Sequence, residues 1–314
     1  MPLTDWLAET GIGETRSVRI GGGEIIACRI LLEGIVPAGA VIAARLARAG
    51  RPAIAEADGQ DYLLREGAGE ATEGQAIAIE VVREAIPGAE PWKRPLARIS
   101  AEAPREAPFE AEALPFPAPQ DLLEDAGWSD LIEEARTGIV AFAGGALRIS
   151  PTPAMTLIDV DGTLPPLDLA MAGAKAAART ILRHGIGGSI GVDLPTVQGK
   201  DQRTAIGAAV DAILPNPFER TAVNGFGFLQ VVRPRRHASL FELAQDRPAF
   251  EARALLRQAA RETGAIRLAV NPAVHAVLAA QPSWLEALGR QVGGAVGLRV
   301  DARLTMSGGH AEKA

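Results

Sequence analysis

The sequence predicts an α+β protein of several domains, in which a small β-barrel module precedes an α/β unit and a smaller α/β unit ends the chain. Its 314 residues, 47% of them hydrophobic, are enough for two or three domains with cores of their own. Short strand candidates separated by Gly and Asp-Gly turns fill much of the first hundred residues, which is typical of a small barrel. Strand and helix candidates then alternate, which favours β-α-β connections.

The first 120 residues are predicted to form a hairpin, a barrel and a linker. Residues 14–32 contain two strand candidates joined by three glycines, Gly21 to Gly23. These glycines do not form a phosphate loop, because no Lys-Ser/Thr follows them and no helix begins there. Barrel strands are predicted at residues 41–46, 52–57, 61–64 and 76–82. Residues 100–120, rich in Pro, Ala and Glu, are predicted to be a linker.

The rest of the chain is predicted to alternate helices with strands. Helices are expected at residues 121–136, 167–184 and 201–214, and strands at residues 156–160, 189–192 and 226–236. From residue 250 the pattern is helix, strand, helix, strand. The predicted domains are therefore a hairpin (1–33), a barrel module (34–99), a linker (100–120), a core (121–245) and a small C-terminal α/β domain (246–314).

Carboxylates end two of the predicted strands. Asp159 and Asp161 alternate along one strand and so point to one face, and Asp193 ends the next strand. A helix between the two strands would bring the carboxylates to one rim of a sheet. Each aspartate alone is more typical of a cap or a turn. Three together repel one another unless a cation is present, which indicates a site for Mg²⁺ and, through it, a metal-dependent phosphodiesterase.

Composition limits the partners and compartments that we expect. A net charge of −6 argues against coating nucleic acid by bulk electrostatics, so any contact must be local. Two short basic runs, residues 233–237 and 93–94, are candidates, although each alone is typical of a solvated surface. Cys28 is the only cysteine, which excludes intrachain disulfides and cysteine zinc sites. No run of about 20 apolar residues and no export signal is seen, so we expect a cytoplasmic protein without membrane partners.

Several segments, taken in order, resemble the ribonuclease E/G family of bacterial endoribonucleases. ETRSVRIGGGEII is similar to the family's opening hairpin, part of an RNase H-like domain, and residues 39–85 resemble its OB-type RNA-binding module. Residues 135–162 resemble the stretch that enters the nuclease site, and GIGGSIGVDL resembles the second metal-ligand strand. NGFGFLQVVRPRR falls where the family has a strand ending in Arg-x-Arg, and residues 270–310 resemble its small domain.

The resemblance implies both a fold and an activity. The OB-type barrel would be inserted into or precede a deoxyribonuclease I-like nuclease core. The activity would be Mg²⁺-dependent hydrolysis of single-stranded RNA, with Mn²⁺ as an alternative ion. Asp159 and Asp193 would be the catalytic metal ligands, and Asp161 would be a further ligand where the family usually has asparagine. The residues expected to contact RNA are Arg233, Arg235, Arg236, Lys93 and Tyr62.

The chain also departs from the family pattern. Gln230 stands where glutamate is usual, and Leu169-Ala170 replaces a Thr-Asn pair. The interval before Asp159 leaves little room for the pocket that senses a 5′-monophosphate, so we expect that sensing to be lost or reduced. The zinc-binding cysteine motif is absent, which predicts a monomer or homodimer and excludes a zinc-linked tetramer. Because Tyr62 is the only obvious aromatic residue of the barrel, we expect weak RNA binding there.

Two functions therefore compete. The first is a compact endoribonuclease, and the second is an RNA-binding or regulatory protein that kept the fold and lost turnover. The acidic charge, the few aromatics and the missing Thr-Asn pair favour the second. Three carboxylates and the Arg-Pro-Arg-Arg run favour the enzyme, since a degenerate site has no physical reason to keep carboxylates that repel one another.

Overall fold

The N-terminal strands form a meander. A computed structural model describes residues 6–87 and 93–314, so residues 1–5 of the predicted hairpin domain and 88–92 of the predicted barrel module lie outside the described residues. Gly22 and Gly23 make the turn of the hairpin with φ of +64° and +86°, a conformation that favours glycine. The antiparallel strands are β1 (Leu7–Thr10), β2 (Glu14–Gly21) and β3 (Glu24–Leu32).

The predicted small barrel is confirmed. Five strands close in the order β4-β5-β6-β8-β7, around a core that includes Leu46, Ile79 and Val81. The strands are β4 (Val41–Arg48), β5 (Ala53–Ala57), β6 (Gln60–Leu64), β7 (Ala76–Arg83) and β8 (Leu96–Ser100). The last of these is an addition to the four strands predicted from the sequence.

The segment predicted to be a linker is part of the N-terminal sheet. Its residues Glu112–Leu114 form β9, which pairs parallel with β1 and completes the order β3-β2-β1-β9. Phe116, just beyond β9, packs its ring against the guanidinium groups of Arg16 and Arg257. An edge strand gains its backbone hydrogen bonds without large apolar side chains, which is why the composition of this segment did not reveal it.

A mixed six-stranded sheet carries the predicted metal ligands. The chain enters it through α1 (Leu122–Asp125) and α2 (Trp128–Thr137). Its strand order is β10-β11-β12-β13-β15-β14. The elements are β10 (Ile139–Phe142), β11 (Gly145–Pro151), β12 (Thr156–Gly162), α3 (Pro166–Arg183), β13 (Gly188–Asp193), α4 (Lys200–Asp211), β14 (Glu219–Arg220) and β15 (Phe228–Arg233).

Only one face of this sheet is covered. α3 and α4 pack against it, and the core between them contains Ile158, Ala174, Ile190 and Ile206, all fully buried. The side chains of the opposite face are exposed or half-buried along β10, β11, β12 and β15. We call this side of the sheet the open face.

The C-terminal part is a small α/β unit. Its sheet has the order β17-β16-β18, and α6 packs against it through Leu255 and Leu256. Its elements and those leading to it are α5 (Leu240–Leu243), α6 (Arg247–Ala259), β16 (Ile266–Val270), α7 (Pro272–Ala279), α8 (Pro282–Val292), β17 (Val296–Val300) and β18 (His310–Lys313). Within residues 6–87 and 93–314, none of the helices has the length and apolar character needed to cross a membrane.

A buried set of charges joins the N-terminal sheet to α6. Arg16 donates from Nε to Glu9 at 2.7 Å and from Nη1 to Glu14 at 2.8 Å. Arg257 pairs with Glu9 at 2.9 Å, and Arg253 pairs with Glu14 at 3.2 Å. All five residues are buried. We call Glu9, Glu14, Arg16, Arg253 and Arg257 the buried ion cluster.

Candidate functional site

The two strands predicted to carry metal ligands are neighbours in the sheet. β12 and β13 run parallel, connected by α3, and their register sets Asp159 directly opposite Asp193. Neighbouring strands lie about 4.8 Å apart, and paired residues point to the same face. Both aspartates are exposed on the open face. Two carboxylates that are distant in the sequence therefore share one small area of surface.

Packing on the covered side fixes this orientation. Ile158 and Val160 flank Asp159 and are buried against α3, as is Val192 beside Asp193. The helix comes so close to β12 that a side chain at Gly173 would collide with Val160. Because alternate residues of a strand point to opposite faces, burial of these apolar residues directs the aspartates outward.

A row of four side chains crosses the open face. Arg148 of β11 lies opposite Asp159, Asp159 lies opposite Asp193, and Asp193 lies opposite Phe228 of β15. We call these four residues the carboxylate row. Arg148 is exposed and was not among the site residues predicted from the sequence. The alternation of exposed and buried residues in β11 was a signal for its face, but the pairing of β11 with β12 was needed to bring it to Asp159.

Neither carboxylate of the row forms an ion pair among the described residues, although Arg148 lies across the strands from Asp159. No described Lys, Arg or His side chain forms an ion pair with Asp159 or Asp193. Like charges on adjacent strands repel one another, and a bound cation relieves this repulsion. The arrangement can hold a hard divalent ion through two carboxylate oxygens, leaving other positions of the ion for waters and a phosphate.

The position of Asp161 differs from that of the other two aspartates. It is exposed on the same face, opposite Ala146, and its Oδ1 accepts a hydrogen bond from the backbone N–H of Gly162 at 2.8 Å. Across residues 6–87 and 93–314, no three His, Cys, Asp or Glu side chains are grouped so as to hold a metal ion. A two-carboxylate site is compatible with Mg²⁺, which typically takes one or two protein carboxylates, and Asp161 as a third ligand stays a prediction.

Two departures from the family pattern have clear positions in the fold. Gln230 lies opposite Gly191 on the open face, two pairs along the strand from Asp193, and is half-buried. Leu169 and Ala170 of α3 are buried in the core under the sheet. Their side chains therefore stabilise the packing of α3 and do not reach the carboxylate row.

The basic run of β15 lies at the far end of the sheet from the carboxylates. β15 is antiparallel to β13, and Arg233 pairs with Gly188, whereas Phe228 pairs with Asp193. At about 3.3 Å a residue, the five residue steps from Phe228 to Arg233 separate Arg233 from Asp193 by roughly 17 Å along the strands. The arginines are therefore too far from the carboxylates to bind the same phosphate, and their contact with neighbouring phosphates stays a prediction.

Both of the first two arginines of this run have partners within the protein. Arg233 Nη1 donates to the backbone carbonyl of Ile186 at 3.2 Å, and burial lowers the pKa of its guanidinium. Arg235 forms an ion pair with Glu242. These bonds stabilise the end of the core domain, and RNA contact by Arg233 and Arg235 stays a prediction.

The other two cations lie near that same end. Lys93 is half-buried, and its Nζ lies 3.5 Å from the carbonyl oxygen of Pro153. One cavity of about 120 Å³ is lined by Lys93, Arg235 and Glu242, among other residues. Arg236 is exposed, and its backbone carbonyl accepts a hydrogen bond from Glu84 of the barrel at 2.8 Å. RNA contact by Lys93 and Arg236 stays a prediction, at a distance from the carboxylate row.

The predicted role of Tyr62 is wrong. Its side chain points into the barrel core, where the residue is 4% exposed, and burial is the main cause that raises the pKa of its phenol. Stacking a base requires a free ring face, which a buried ring does not offer. The alternation of β6 has two possible phases, and the one that buries Tyr62 also buries Leu64.

Two comparisons with known proteins add nothing to this description of the site. Neither a comparison with protein-family models nor a search of curated proteins finds a match to this chain.

Proposed function

We propose that this chain is a Mg²⁺-dependent endoribonuclease that hydrolyses single-stranded RNA, of the ribonuclease E/G type that its segments resemble. One observation carries the proposal: Asp159 and Asp193 lie opposite each other on parallel neighbouring strands, exposed and without an ion pair among the described residues. An arrangement on opposite sides of the molecule, or two carboxylates buried in salt bridges, would have argued against it.

The three charged residues of the row have proposed roles in the reaction. Asp159 and Asp193 bind and orient the ion at the open face, with Asp161 beside them. When bound, Mg²⁺ polarises a phosphate oxygen and lowers the pKa of a coordinated water from about 15.7 towards neutrality. Arg148, exposed next to Asp159, binds an oxygen of the same or the adjoining phosphate through its planar guanidinium.

The rest of the fold has a place in this proposal. The closed barrel is the OB-type module, the six-stranded sheet with α3 and α4 is the deoxyribonuclease I-like core, and the N-terminal sheet is the RNase H-like part. Because Tyr62 is buried, its ring is not available to stack on RNA bases. RNA affinity therefore depends on the open face and on exposed cations such as Arg236. The chain acts as a monomer or homodimer.

The test uses a labelled, unstructured RNA with Mg²⁺ or with EDTA. The wild-type chain is compared with the double variant Asp159→Asn, Asp193→Asn, which keeps the shape of both side chains and removes their charge. A double variant Glu70→Gln, Glu286→Gln removes the same charge from two exposed sites in other domains and is the matched control. We expect cleavage that requires Mg²⁺, persists in the control and is lost in the aspartate variant.

Two results would count against the proposal. Cleavage that survives in EDTA or in the aspartate variant would show that these carboxylates are not the site. RNA retention without cleavage by either protein would favour the alternative function, an RNA-binding protein without turnover. Circular dichroism of each variant checks that folding is unchanged, as expected for substitutions of exposed residues.

A further inference from the structure

A phenylalanine stands exposed beside the carboxylate row. Phe226 is 84% exposed, well above every other large hydrophobic residue in the described part of the chain. It lies two residues before Phe228, which is paired with Asp193. Burying a ring of this size would stabilise the protein by about 2 kcal/mol relative to leaving it in water. Its exposure close to candidate catalytic groups therefore indicates a surface that binds a ligand.

The turn that carries Phe226 is held in place by many contacts. Asn224 Oδ1 accepts hydrogen bonds from the backbone N–H groups of Phe226 at 2.9 Å and Phe228 at 3.0 Å. Gly227, with φ of +92°, lies so close to the carbonyl oxygen of Leu194 that any side chain there would collide with it. These contacts hold the backbone of Phe226 in place, and its ring projects from there into solvent.

Two further hydrogen bonds attach the turn to the residues that follow β13. The backbone N–H of Leu194, directly after Asp193, donates to the carbonyl of Gly227 at 3.3 Å. Thr196 Oγ1 donates to the carbonyl of Phe226 at 3.2 Å. The backbone that carries the exposed ring is therefore attached to the segment that directly follows Asp193.

A second phenylalanine, two residues further along the chain, lies on the open face. Phe228 belongs to the carboxylate row, and its ring extends over Gly191, where a Cβ would be 2.6 Å from the ring edge. Gly191 thus leaves the space that lets this ring lie down on the sheet, beside Asp193. Single-stranded nucleic acids bind to paired aromatic surfaces of this kind, because each base offers a planar apolar face.

We propose that Phe226 and Phe228 form a stacking platform for the bases that flank the phosphodiester held at Asp159 and Asp193. This inference rests on the proposed nuclease function and names the part of the site that binds the bases. The chain surrounding Phe226, including Thr196, Asn224 and Gly225, is exposed and polar, so the ring is not part of a broad apolar patch suited to a folded protein partner. Single-stranded RNA supplies the isolated planar face that the ring fits.

The experiment measures binding of a fluorescein-labelled 12-nucleotide RNA by anisotropy in EDTA, so that metal-dependent cutting is stopped. We expect Phe226→Ala to weaken binding by at least about fivefold and Phe226→Trp to retain it, because the indole stacks at least as well. Val300→Ala truncates the next most exposed large apolar side chain of the described residues, in the C-terminal unit, and should bind as the wild type. With Mg²⁺, Phe226→Ala should raise KM and leave kcat nearly unchanged.

A second arm identifies stacking itself. A single abasic nucleotide is moved along the RNA, and we expect the wild type to lose affinity at one or two positions where Phe226→Ala loses none. If Phe226→Ala binds and cuts RNA like the wild type, or if abasic RNAs bind equally at every position, the platform is refuted while the nuclease proposal stands. If the wild type neither binds nor cuts RNA, both proposals are refuted.

Discussion

The molecule treats its carboxylates in two opposite ways. In the buried ion cluster, Glu9 and Glu14 are almost fully removed from water, and each contacts two arginines, including Arg16. In the carboxylate row, Asp159 and Asp193 are exposed and form no ion pair among the described residues, although Arg148 lies opposite Asp159. Arginines of the protein neutralise the carboxylates of the first region, whereas those of the second region remain in contact with solvent.

The difference separates structural charge from charge that is available to a ligand. A buried carboxylate without a partner costs several kcal/mol, so the cluster is closed and has no place for another ion. Water solvates the exposed carboxylates Asp159 and Asp193 and so reduces the cost of their repulsion, and a bound cation would reduce it further. Substitutions in the cluster should therefore change stability, and substitutions in the row should change ligand binding and reaction.

The largest effect is expected from Arg16→Ala. This change leaves Glu9 and Glu14 with one arginine each in a buried setting, and we expect a loss of about 3 kcal/mol in the free energy of unfolding. Urea denaturation followed by circular dichroism measures it. Asp159→Asn is the matched comparison and should change the free energy of unfolding by no more than about 0.5 kcal/mol. Equal losses in both variants would remove the distinction between the two regions.

Gly173→Ala should affect both stability and the site. The new methyl group meets the stiff side chain of Val160, and overpacking of this kind costs about 1–3 kcal/mol. Because Val160 lies between Asp159 and Asp161 on β12, relief of the collision shifts the strand relative to β13 and lowers the rate of RNA cleavage. Lys175→Ala, an exposed change on the same helix, is the control. A stable Gly173→Ala chain with normal cleavage would show that this contact does not position the row.

A buried histidine should make the fold sensitive to acid. His184 is fully buried, with Nε2 3.0 Å from Glu134, and its ring stacks on Phe241. Burial is the main cause that lowers the pKa of His184, with Arg183 acting the same way and Glu134 opposing it.

The sign of the pH effect follows from this lowered pKa. The unfolded chain binds a proton near pH 6.5, before the folded chain does, so stability is full above that pH and falls as the pH drops towards the pKa of the folded state. We expect a loss of about 1 kcal/mol, measured as urea midpoints between pH 7.5 and 5.5. His184→Gln should flatten this dependence, although His237, whose pKa is also lowered by burial, keeps part of it. An unchanged slope in His184→Gln would contradict the assignment.

The smallest effect is expected from Arg148→Ala. An exposed cation contributes less than about 1 kcal/mol to a phosphate contact, so KM for RNA should rise two- to fivefold, with a shallower dependence on salt. The urea midpoint should stay unchanged, in contrast to Arg16→Ala. Arg148→Lys keeps the charge and should restore most of the salt dependence. A KM that is unaffected by the loss of this cation would remove Arg148 from the site.

Local alternation was sufficient to predict the central part of the site. The period of two in β12 set Asp159 apart from Ile158 and Val160, and a helix between two strands predicted their parallel pairing. The small barrel followed from the spacing of turns and apolar runs. These features depend on residues that are close together in the chain or on connections of one known type.

The errors come from information that local patterns do not contain. The direction of β15 decides which of its ends lies beside Asp193, and an antiparallel strand brings Phe228 there and carries Arg233 away. The phase of β6 decides whether Tyr62 faces the core or the solvent. Arg148 and β9 both depend on pairing partners that the sequence leaves unspecified.

Because the chain returns to the N-terminal sheet as β9, the barrel is connected to that sheet by two chain segments. The chain leaves the N-terminal sheet at the end of β3 and comes back as β9 on the opposite edge, three strand spacings or about 14 Å away. β9 runs parallel to β1 and hence to β3, so the departure and the return lie at diagonally opposite corners of that sheet. An insert tethered at two distant corners does not pivot about a single hinge, which restrains the swing of the barrel relative to the sheet that bears it.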